Sequence, residues 1–335
     1  MRALQLSTPG PLSTASLRLV ELPPPAQTLA SDRLLLRVRA CGVCHTDLHI
    51  VEGDLPPKKL PIVPGHQVIA TVTQVGAAVT RCHIGDRVGA PWLHSACGAC
   101  EFCRRGEENL CDRALFTGWD VDGGYAEYML AHEDFVAPIP PEFSDVQAAP
   151  LLCAGLIGYR SLRKAEAQPG EKVGLYGFGA SAHIVIQVAR YWECRVSVFT
   201  RSPEHRALAA SLGAEWVGGA EQDPPHPLDR AILFAPAGWL VPVALRHVRK
   251  GGTVAINAIH MSPIPEMDYN VLYGERTLRS VANVTRRDAD EFMRLAAQIP
   301  ITTEVQAFPL EEANRALRMM KRSEIKGAAV LVVNG

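Results

Sequence analysis

VGLYGFGASAHIVIQVAR, residues 173–190, connects a short apolar strand to a helix through the turn Gly177-x-Gly179-x-x-Ala182. Apolar residues recur at helical spacing after this turn. In this context the first glycine permits a tight turn, the second lets a pyrophosphate approach the backbone, and alanine is accepted at the third position. The helix N-terminus then faces the phosphates. The stretch therefore predicts a dinucleotide-binding turn made of Gly177, Gly179, Ala180, Ser181 and Ala182.

Strands and helices continue to alternate after this stretch. We predict strands over 195–200, 229–235 and 253–257, and helices over 203–212 and 240–248. Apolar strands that alternate with amphipathic helices are typical of a doubly wound parallel sheet. The sequence thus predicts a complete dinucleotide-binding domain over residues 154–283.

The end of the second predicted strand indicates which cofactor binds. An acidic residue about 20 positions after the glycines would hold the ribose 2′-OH of NAD. Thr200, Arg201 and Ser202 occupy this place, and they include no carboxylate. A guanidinium beside hydroxyl groups suits a 2′-phosphate by charge and by bidentate geometry. These residues favour NADP. NAD is the alternative if Arg201 is only a solvated residue at the start of the next helix.

Length and composition limit the class of protein. The chain has 335 residues, enough for about two domains, with 47% hydrophobic and 21% charged residues. These values exclude a disordered chain or a coiled coil. A formal net charge of −1 gives no reason to expect nucleic acid or a membrane as a partner. Neither a secretory signal nor an apolar run of membrane-spanning length is evident, so we expect a cytoplasmic protein. Its nine cysteines then indicate metal ligands or free thiols rather than disulfides.

Four cysteines lie within 15 residues, with the spacing C-x2-C-x2-C-x7-C. Thiolates this close in sequence can converge on one ion with little loss of chain entropy, and four thiolates suit zinc. A closed four-cysteine site has no open coordination position, which indicates a structural role. An iron–sulfur cluster is the chemical alternative, although the bacterial ferredoxin spacing ends with x3 and a proline. The predicted structural ligands are Cys97, Cys100, Cys103 and Cys111.

A second candidate metal site is spread along the chain. Cys44, His66 and Cys153 would supply two sulfurs and one imidazole, and this set leaves a fourth tetrahedral position for water or substrate. That is the ligand number of a catalytic zinc. Cys41-x-x-Cys44 has an alternative interpretation as a redox pair. We interpret Cys82 and Cys194 as packing residues.

Five segments in this order resemble the zinc-dependent medium-chain alcohol dehydrogenases. They are CGVCHTDLH (41–49), PGHQV (64–68), the four-cysteine lobe, PLLCAG (150–155) and the glycine motif. The resemblance covers essentially the whole chain. It implies an α/β protein with a GroES-like β-barrel catalytic domain over 1–153 and 284–335. A Rossmann cofactor domain would be inserted over 154–283. A helix predicted over 310–321 and a strand over 328–333 fit the return of the chain to the catalytic domain.

The resemblance also implies roles for individual residues. Cys44, His66 and Cys153 match the catalytic zinc ligands, and the four-cysteine lobe matches the structural zinc site. Thr46 matches the hydroxyl that touches the substrate oxygen, His49 the outer end of a proton relay, and Asp47 the carboxylate that orients the zinc-binding histidine. His45 and Arg286 match positions near the cofactor, although Arg287 is a neighbouring candidate. Leu55, Trp92 and Trp119 are candidates for the substrate pocket.

The implied activity is hydride transfer between a nicotinamide cofactor and an alcohol, aldehyde or ketone. One departure is Gln67, which stands where the family motif has Glu and which could slow ligand exchange at the zinc. A polyol, threonine or formaldehyde dehydrogenase is the alternative within the superfamily. A zinc-stabilised NADP-binding redox sensor without turnover is the alternative outside enzymes. Relatives in the family imply a homo-oligomer, a dimer or a tetramer.

Overall fold

The computed structural model describes residues 1–13, 17–25 and 28–333, and these form two compact units. The terminal unit contains Met1–Cys153, Asn283–Gln298 and the chain from Thr302 onward. The inserted unit contains Ala154–Ala282 and the short segment Ile299–Ile301. The sequence predicts domains over 1–153 with 284–335 and over 154–283, and these domain boundaries stay predictions. None of the described helices has the length and apolar character needed to cross a membrane.

The first part of the terminal unit is mostly β-structure. Its strands are β1 (Arg2–Gln5), β2 (Arg18–Glu21), β3 (Arg33–Val43), β4 (Gln67–Val75), β5 (Arg87–Ala90), β6 (Leu93–Ser95), β7 (Leu115–Phe116), β8 (Tyr128–His132) and β9 (Ala137–Pro138). Its helices are α1 (His45–Glu52), α2 (Glu101–Arg104) and α3 (Asp145–Ala148).

The inserted unit follows, with helices α4 (Ala154–Lys164), α5 (Ala180–Tyr191), α6 (Pro203–Ser211), α7 (Leu240–His247) and α8 (Tyr269–Leu272). Its strands are β10 (Lys172–Tyr176), β11 (Arg195–Phe199), β12 (Trp216–Gly218), β13 (Leu228–Leu233), β14 (Val248–Ile256) and β15 (Thr277–Ser280). The chain then returns to the terminal unit with α9 (Arg286–Ala296), β16 (Val305–Pro309), α10 (Ala313–Lys321) and β17 (Ala328–Val332).

Strand β3 organises the main sheet of the terminal unit. The strand order is β16-β17-β3-β4-β5-β9, and β8 also pairs with β3. Leu36 shows why β3 is central, because it pairs with Val72 on β4 and with Met129 on β8, and all three side chains are buried. The sheet therefore wraps around one apolar core, as the GroES-like prediction requires.

The inserted unit has a six-stranded parallel sheet in the order β12-β11-β10-β13-β14-β15. Strand β10 lies inside the sheet, and its residues from Val173 to Tyr176 are fully buried. Apolar strands buried on both faces are typical of parallel sheets covered by helices. The doubly wound α/β fold predicted from residues 173–190 is confirmed.

Several predicted elements differ in their bounds. The helix after the glycine turn begins at Ala180, and the strand expected at 253–257 starts earlier, at Val248. The C-terminal helix begins with a 3₁₀ turn over Leu310–Glu312 before α10. Strand β15 was not predicted, because its four residues are half-buried or exposed at the sheet edge and show no apolar alternation.

Candidate metal centres and cofactor site

Three separate parts of the terminal unit bring Cys44, His66 and Cys153 together. Cys44 is the N-cap of α1, His66 immediately precedes β4, and Cys153 follows the 3₁₀ turn Ala149–Leu152. Their ligand atoms all lie within 4.8 Å of one another, and Cys44 Sγ is 3.2 Å from His66 Nε2. A tetrahedral zinc ion with bonds of about 2.0–2.3 Å separates its ligand atoms by roughly 3.5 Å. The donor set and its spacing therefore fit zinc.

Asp47 connects the start of α1 to His66. One of its carboxylate oxygens, Oδ2, accepts a hydrogen bond from the Cys44 backbone N–H at 2.9 Å. The other, Oδ1, lies 3.1 Å from His66 Nδ1. A carboxylate at Nδ1 fixes the proton there and leaves Nε2 free to bind a metal. The capping geometry of α1 therefore determines which imidazole nitrogen faces the two sulfurs.

The ionisable groups of this cluster shift one another's pKa values, and among the three candidate ligands only Cys44 is moved toward the form that binds a metal. Hydrogen bonding from Cys153 holds the pKa of the Cys44 thiol well below its usual range, and burial raises the pKa of Asp47. Burial by itself would lower the pKa of His66, but the Cys44 and Asp47 charges outweigh it and the pKa is raised. The Cys153 thiol has a raised pKa because it shares its hydrogen bond with Cys44 and is buried. A divalent cation bound here would displace the proton that the Cys44 and Cys153 sulfurs share.

The other predicted residues of α1 lie along one short helix. The Thr46 backbone N–H donates to Cys44 Sγ at 3.3 Å, so the Thr46 residue adjoins the metal cluster. His45 is exposed. His49 lies one turn after the N-cap, and its Nδ1 is 3.0 Å from Asp54 Oδ2.

Aromatic rings extend outward from His66. The Trp92 ring meets the His66 ring edge-on, with centroids 4.9 Å apart. Trp92 stacks on Trp119 at 5.9 Å and on Phe116 at 5.2 Å, so the three rings form one group that we call the aromatic wall. Sequence analysis missed Phe116, because it ends the short strand β7 and meets the two tryptophans only through the tertiary fold. Leu55 packs half-buried against the core of the same unit.

The four cysteines of the lobe converge as predicted from their spacing. Cys97, Cys100, Cys103 and Cys111 have sulfur atoms within 4.8 Å of one another, and Cys97 Sγ is 3.8 Å from Cys103 Sγ. Tetrahedral zinc with bonds of 2.3 Å gives a sulfur separation of about 3.8 Å. Backbone N–H groups of Ala99 and Cys100 lower the pKa of Cys97 to about 5, whereas burial raises the pKa of Cys103 to about 12. The first thiol is therefore prepared to bind a cation as a thiolate.

Arg286 lies beside the lobe. Glu108, whose side chain is buried, accepts hydrogen bonds from the Arg286 backbone N–H at 2.8 Å and from its Nε at 3.2 Å. The Arg286 guanidinium also lies 3.4 Å from Asp134 and over the Phe135 ring. These contacts give Arg286 a structural role at the start of α9, and its predicted role at the cofactor stays a prediction. Arg287 pairs with Glu291 on the same helix.

The glycine turn in the inserted unit has the geometry of a phosphate site. Gly177 has φ +90°, and a Cβ there would lie 2.9 Å from the Ala235 backbone nitrogen, so only glycine fits. A Cβ on Gly179 would meet open space, and no described side chain caps α5 at this N-terminus. Ala180 and Ser181 are half-buried in the first turn, whereas Ala182 is fully buried. Backbone N–H groups in the first turn of a helix have no partner within the helix, and they suit a pyrophosphate.

Basic and hydroxyl residues follow β11 in the same unit. Thr200 is buried, Ser202 caps α6 by accepting from the His205 N–H at 3.2 Å, and Arg201 is exposed. Arg206, which sequence analysis did not single out, donates from Nε to the Thr200 carbonyl at 2.9 Å. Its signal in the sequence was its place one turn into the helix that follows Ser202. Arg201, which follows β11, and Arg206, which bonds to the Thr200 carbonyl, therefore place two guanidinium-bearing residues near the C-terminal end of this strand.

This fold and these two cysteine-rich centres define the class of protein. The sequence profile of the alcohol dehydrogenase GroES-like domain matches residues 30–141. The chain belongs to the zinc-dependent medium-chain alcohol dehydrogenases and is an oxidoreductase acting on alcohols.

Particular relatives cover almost the whole chain. A probable alcohol dehydrogenase AdhA of Mycobacterium tuberculosis (strain CDC 1551 / Oshkosh) is 47% identical over 99% of this chain and 97% of its own length. An alcohol dehydrogenase of Geobacillus stearothermophilus is 38% identical over 91% and 94% of the two chains. The crystal structure of the alcohol dehydrogenase from Aeropyrum pernix superposes with a TM-score of 0.87 at 28% identity, over 99% of this chain and all of that one. A cobalt- and zinc-bound alcohol dehydrogenase from Pyrobaculum aerophilum has a TM-score of 0.87 at 25% identity, over 99% of both chains.

Proposed function

We propose that this protein interconverts alcohols with aldehydes or ketones, using a catalytic zinc and preferring NADP over NAD. The observation that carries the proposal is the convergence of Cys44, His66 and Cys153, which supply three ligands and leave one tetrahedral position for substrate. The 25%-identical Pyrobaculum enzyme has zinc bound, which supports zinc as the metal here. The lobe of Cys97, Cys100, Cys103 and Cys111 would hold a second, structural zinc.

The chain's own residues orient the substrate and move a proton. Zinc bound at the three ligands would act as a Lewis acid for the substrate oxygen. Thr46, whose backbone is anchored on Cys44 Sγ, would present its hydroxyl as the hydrogen-bond partner of that oxygen. His49 would exchange the proton with solvent. Asp47 would hold the His66 imidazole in the tautomer that ligates the metal.

NADP is favoured by the residues that follow β11. Arg201 and Arg206 offer two positive charges, and no carboxylate occupies positions 200–202 to repel a phosphate. The Ser202 hydroxyl donates to Glu204 Oε2 at 2.6 Å, so the two arginines carry the argument. Arginine is the side chain best suited to bind a phosphate through two parallel hydrogen bonds. Arg206 is directed to the end of β11 by its bond to the Thr200 carbonyl. NAD remains the competing cofactor.

The aromatic wall favours substrates with a planar or bulky apolar group. Trp92 contacts His66, and Trp119 extends the same stack outward, so a flat substituent near the metal would lie against aromatic rings. Leu55, Trp92 and Trp119 are the pocket residues that we propose. The substrate is thus a small-molecule alcohol or carbonyl compound. We expect the protein to be a cytoplasmic homo-oligomer.

The test uses zinc content together with initial rates. Wild type, His66→Ala and the control Cys82→Ala would be assayed with an aliphatic and an aromatic aldehyde, each with NADPH and with NADH. Cys82 is buried and belongs to neither cysteine cluster. We expect wild type and Cys82→Ala to contain two zinc ions per chain and to turn over faster with NADPH. His66→Ala should keep one zinc and lose turnover.

Each alternative has its own result in this experiment. Full turnover by zinc-depleted His66→Ala would overturn the zinc mechanism. Turnover that favours NADH would keep the enzyme class and overturn the cofactor preference. The redox-sensor alternative would be favoured by one result. Zinc-replete wild type would bind NADPH tightly but would turn over neither these aldehydes nor polyols, threonine or formaldehyde adducts.

A further inference from the structure

The chain turns sharply after α1 and brings Asp54 back to the helix it has just left. Gly53 ends α1 with φ +89°, a left-handed conformation that glycine adopts without strain. The N–H groups of Gly53 and Leu55 both donate to the His49 carbonyl at 3.0 Å. Two backbone bonds to one carbonyl hold the turn, so the position of Asp54 relative to His49 is determined by the main chain.

Asp54 contacts the His49 ring through a single nitrogen. Its Oδ2 lies 3.0 Å from His49 Nδ1. An ionised carboxylate can only accept a hydrogen bond, so Nδ1 must carry the proton in this contact. In the neutral ring, Nε2 is then the basic nitrogen. The His49 side chain is 24% exposed and that of Asp54 is 57% exposed, so the pair lies at the boundary with solvent.

We propose that Asp54 is a positioning residue that selects the His49 tautomer for proton transfer to solvent. The inference rests on the proposed function, in which His49 exchanges the reaction proton. In alcohol oxidation one proton leaves the substrate hydroxyl as hydride passes to the cofactor. That proton arrives at Nε2 and makes the ring an imidazolium, whose charge Asp54 stabilises. Bulk water then takes one proton from the ring, and the neutral Nδ1–H tautomer is restored.

A nearby carboxylate provides a matched control. Asp122 is 52% exposed, comparable to Asp54, and it also lies in a loop of the terminal unit. It pairs with Lys59 at 2.8 Å and accepts from the Val63 backbone N–H at 3.0 Å. Loss of this carboxylate removes a surface charge and two loop contacts but leaves the Asp54–His49 contact in place.

The first measurement reads the tautomer directly and needs no turnover. Histidine-selective ¹⁵N labelling would be applied to wild type, Asp54→Ala and Asp122→Ala, with His49→Gln used to assign the His49 signals. We expect the Nδ1–H tautomer in wild type and Asp122→Ala. Asp54→Ala should show a shifted or mixed population. A wild-type His49 in the Nε2–H tautomer, or the same tautomer in Asp54→Ala as in wild type, would overturn the inference.

The second measurement connects the tautomer to proton transfer. For alcohol oxidation we expect kcat of Asp54→Ala to fall about tenfold with a larger solvent deuterium isotope effect, because proton exit becomes slower. Asp122→Ala should match wild type, and Asp54→Glu should recover part of the loss. Equal kcat and equal isotope effect in Asp54→Ala and wild type would overturn the inference and leave the proposed function intact. Absence of turnover in zinc-replete wild type would instead count against the proposed function, while the tautomer measurement still decides the role of Asp54.

Discussion

His66 Nδ1 lies 3.1 Å from Asp47 Oδ1, and the two side chains are 1% and 0% exposed. Asp47 is also the third residue of α1 and forms the capping box with Cys44. One carboxylate therefore bonds to both the helix N-terminus and the imidazole. A buried carboxylate with both oxygens engaged holds the ring in one orientation and one tautomer. The local structure of α1 therefore prepares the metal cluster before any ion binds.

Asp47→Asn tests this double role. We expect the catalytic centre to bind zinc about 10- to 100-fold more weakly, because loss of the partner carboxylate lowers the basicity and order of the ligating ring. Competition with a chromophoric chelator would measure the affinity of each site.

Asp288→Asn is the matched control, because Asp288 is fully buried and occupies the same capping-box position in α9. This variant should lose stability as a weakened helix cap, by about 1 kcal/mol, and keep wild-type zinc affinity. Equal zinc affinity in Asp47→Asn and Asp288→Asn would contradict the role assigned to Asp47.

Cys103→Ser tests the lobe as a structural centre. The variant should lose one zinc per chain and keep the catalytic zinc, because the two candidate metal sites share no ligand. We expect Tm to fall by roughly 5–10 °C, since structural zinc contributes directly to folding. Metal analysis and calorimetry would measure both effects. Cys194→Ser, in the buried core of the inserted unit, is the control for losing a thiol. Two zinc ions retained in Cys103→Ser would show that the four thiols are not one metal site.

Thr200→Asp combined with Arg201→Ala tests cofactor choice. A carboxylate at position 200 can accept from a ribose hydroxyl and repels a 2′-phosphate, and Arg201 no longer attracts it. The ratio of kcat/KM for NADPH to that for NADH should fall about 100-fold, the equivalent of one or two charged hydrogen bonds. Arg195→Gln is the control, because Arg195 begins β11 and pairs with Glu215. An unchanged ratio in the double variant would contradict the NADP preference.

Trp119→Ala tests the aromatic wall. Removing a ring that stacks at 5.9 Å on Trp92 should raise KM for an aromatic aldehyde about 2- to 10-fold. KM for acetaldehyde should change little, because a small substrate does not extend to Trp119. Trp239→Ala, a half-exposed tryptophan of the inserted unit, controls for general effects of losing an indole. Parallel changes in both KM values would show that Trp119 only supports the fold.

His94 makes stability depend on pH. Its Nε2 accepts from Arg33 at 3.1 Å, and burial, with help from the Arg33 charge, lowers its pKa to about 4. The unfolded state binds a proton near pH 6.5 and the folded state does not, so stability from this group is full above pH 6.5 and falls as pH drops toward 4. At pH 5.5 the loss should be about 1 kcal/mol.

Urea unfolding at pH 7.5 and 5.5, followed by tryptophan fluorescence, would measure this loss. His94→Gln keeps a hydrogen-bond acceptor but cannot titrate, so its stability should fall by about 1 kcal/mol less than that of wild type over the same interval. His83→Gln is the surface control, because the His83 side chain is 82% exposed and lies 3.7 Å from the Asp86 carboxylate. The same pH dependence in wild type and His94→Gln would contradict the assignment.

Local sequence was sufficient where a function lies within one short segment. The turn at 177–182 and the lobe at 97–111 are both complete within a few residues, so spacing alone predicted their geometry. The parallel sheet of the inserted unit also follows from the alternation of strands and helices, because parallel strands need crossover connections. The strand order does not follow from alternation. Strand β15 has little burial contrast and was not recognisable from pattern. The 3₁₀ turn over Leu310–Glu312 falls within the helix predicted over 310–321.

The sequence by itself determined the class of fold, the four-cysteine lobe and the types of residue available for catalysis. Only the tertiary structure brought His66, 22 residues after Cys44, and Cys153, 87 residues after His66, within bonding distance of one ion. It also paired Arg286 with Glu108 across 178 residues and added Phe116 to the aromatic wall. The physical reason is that spacing governs contacts only over short loops. Distant groups meet where the packing of β3, β4 and α1 around a shared core places them.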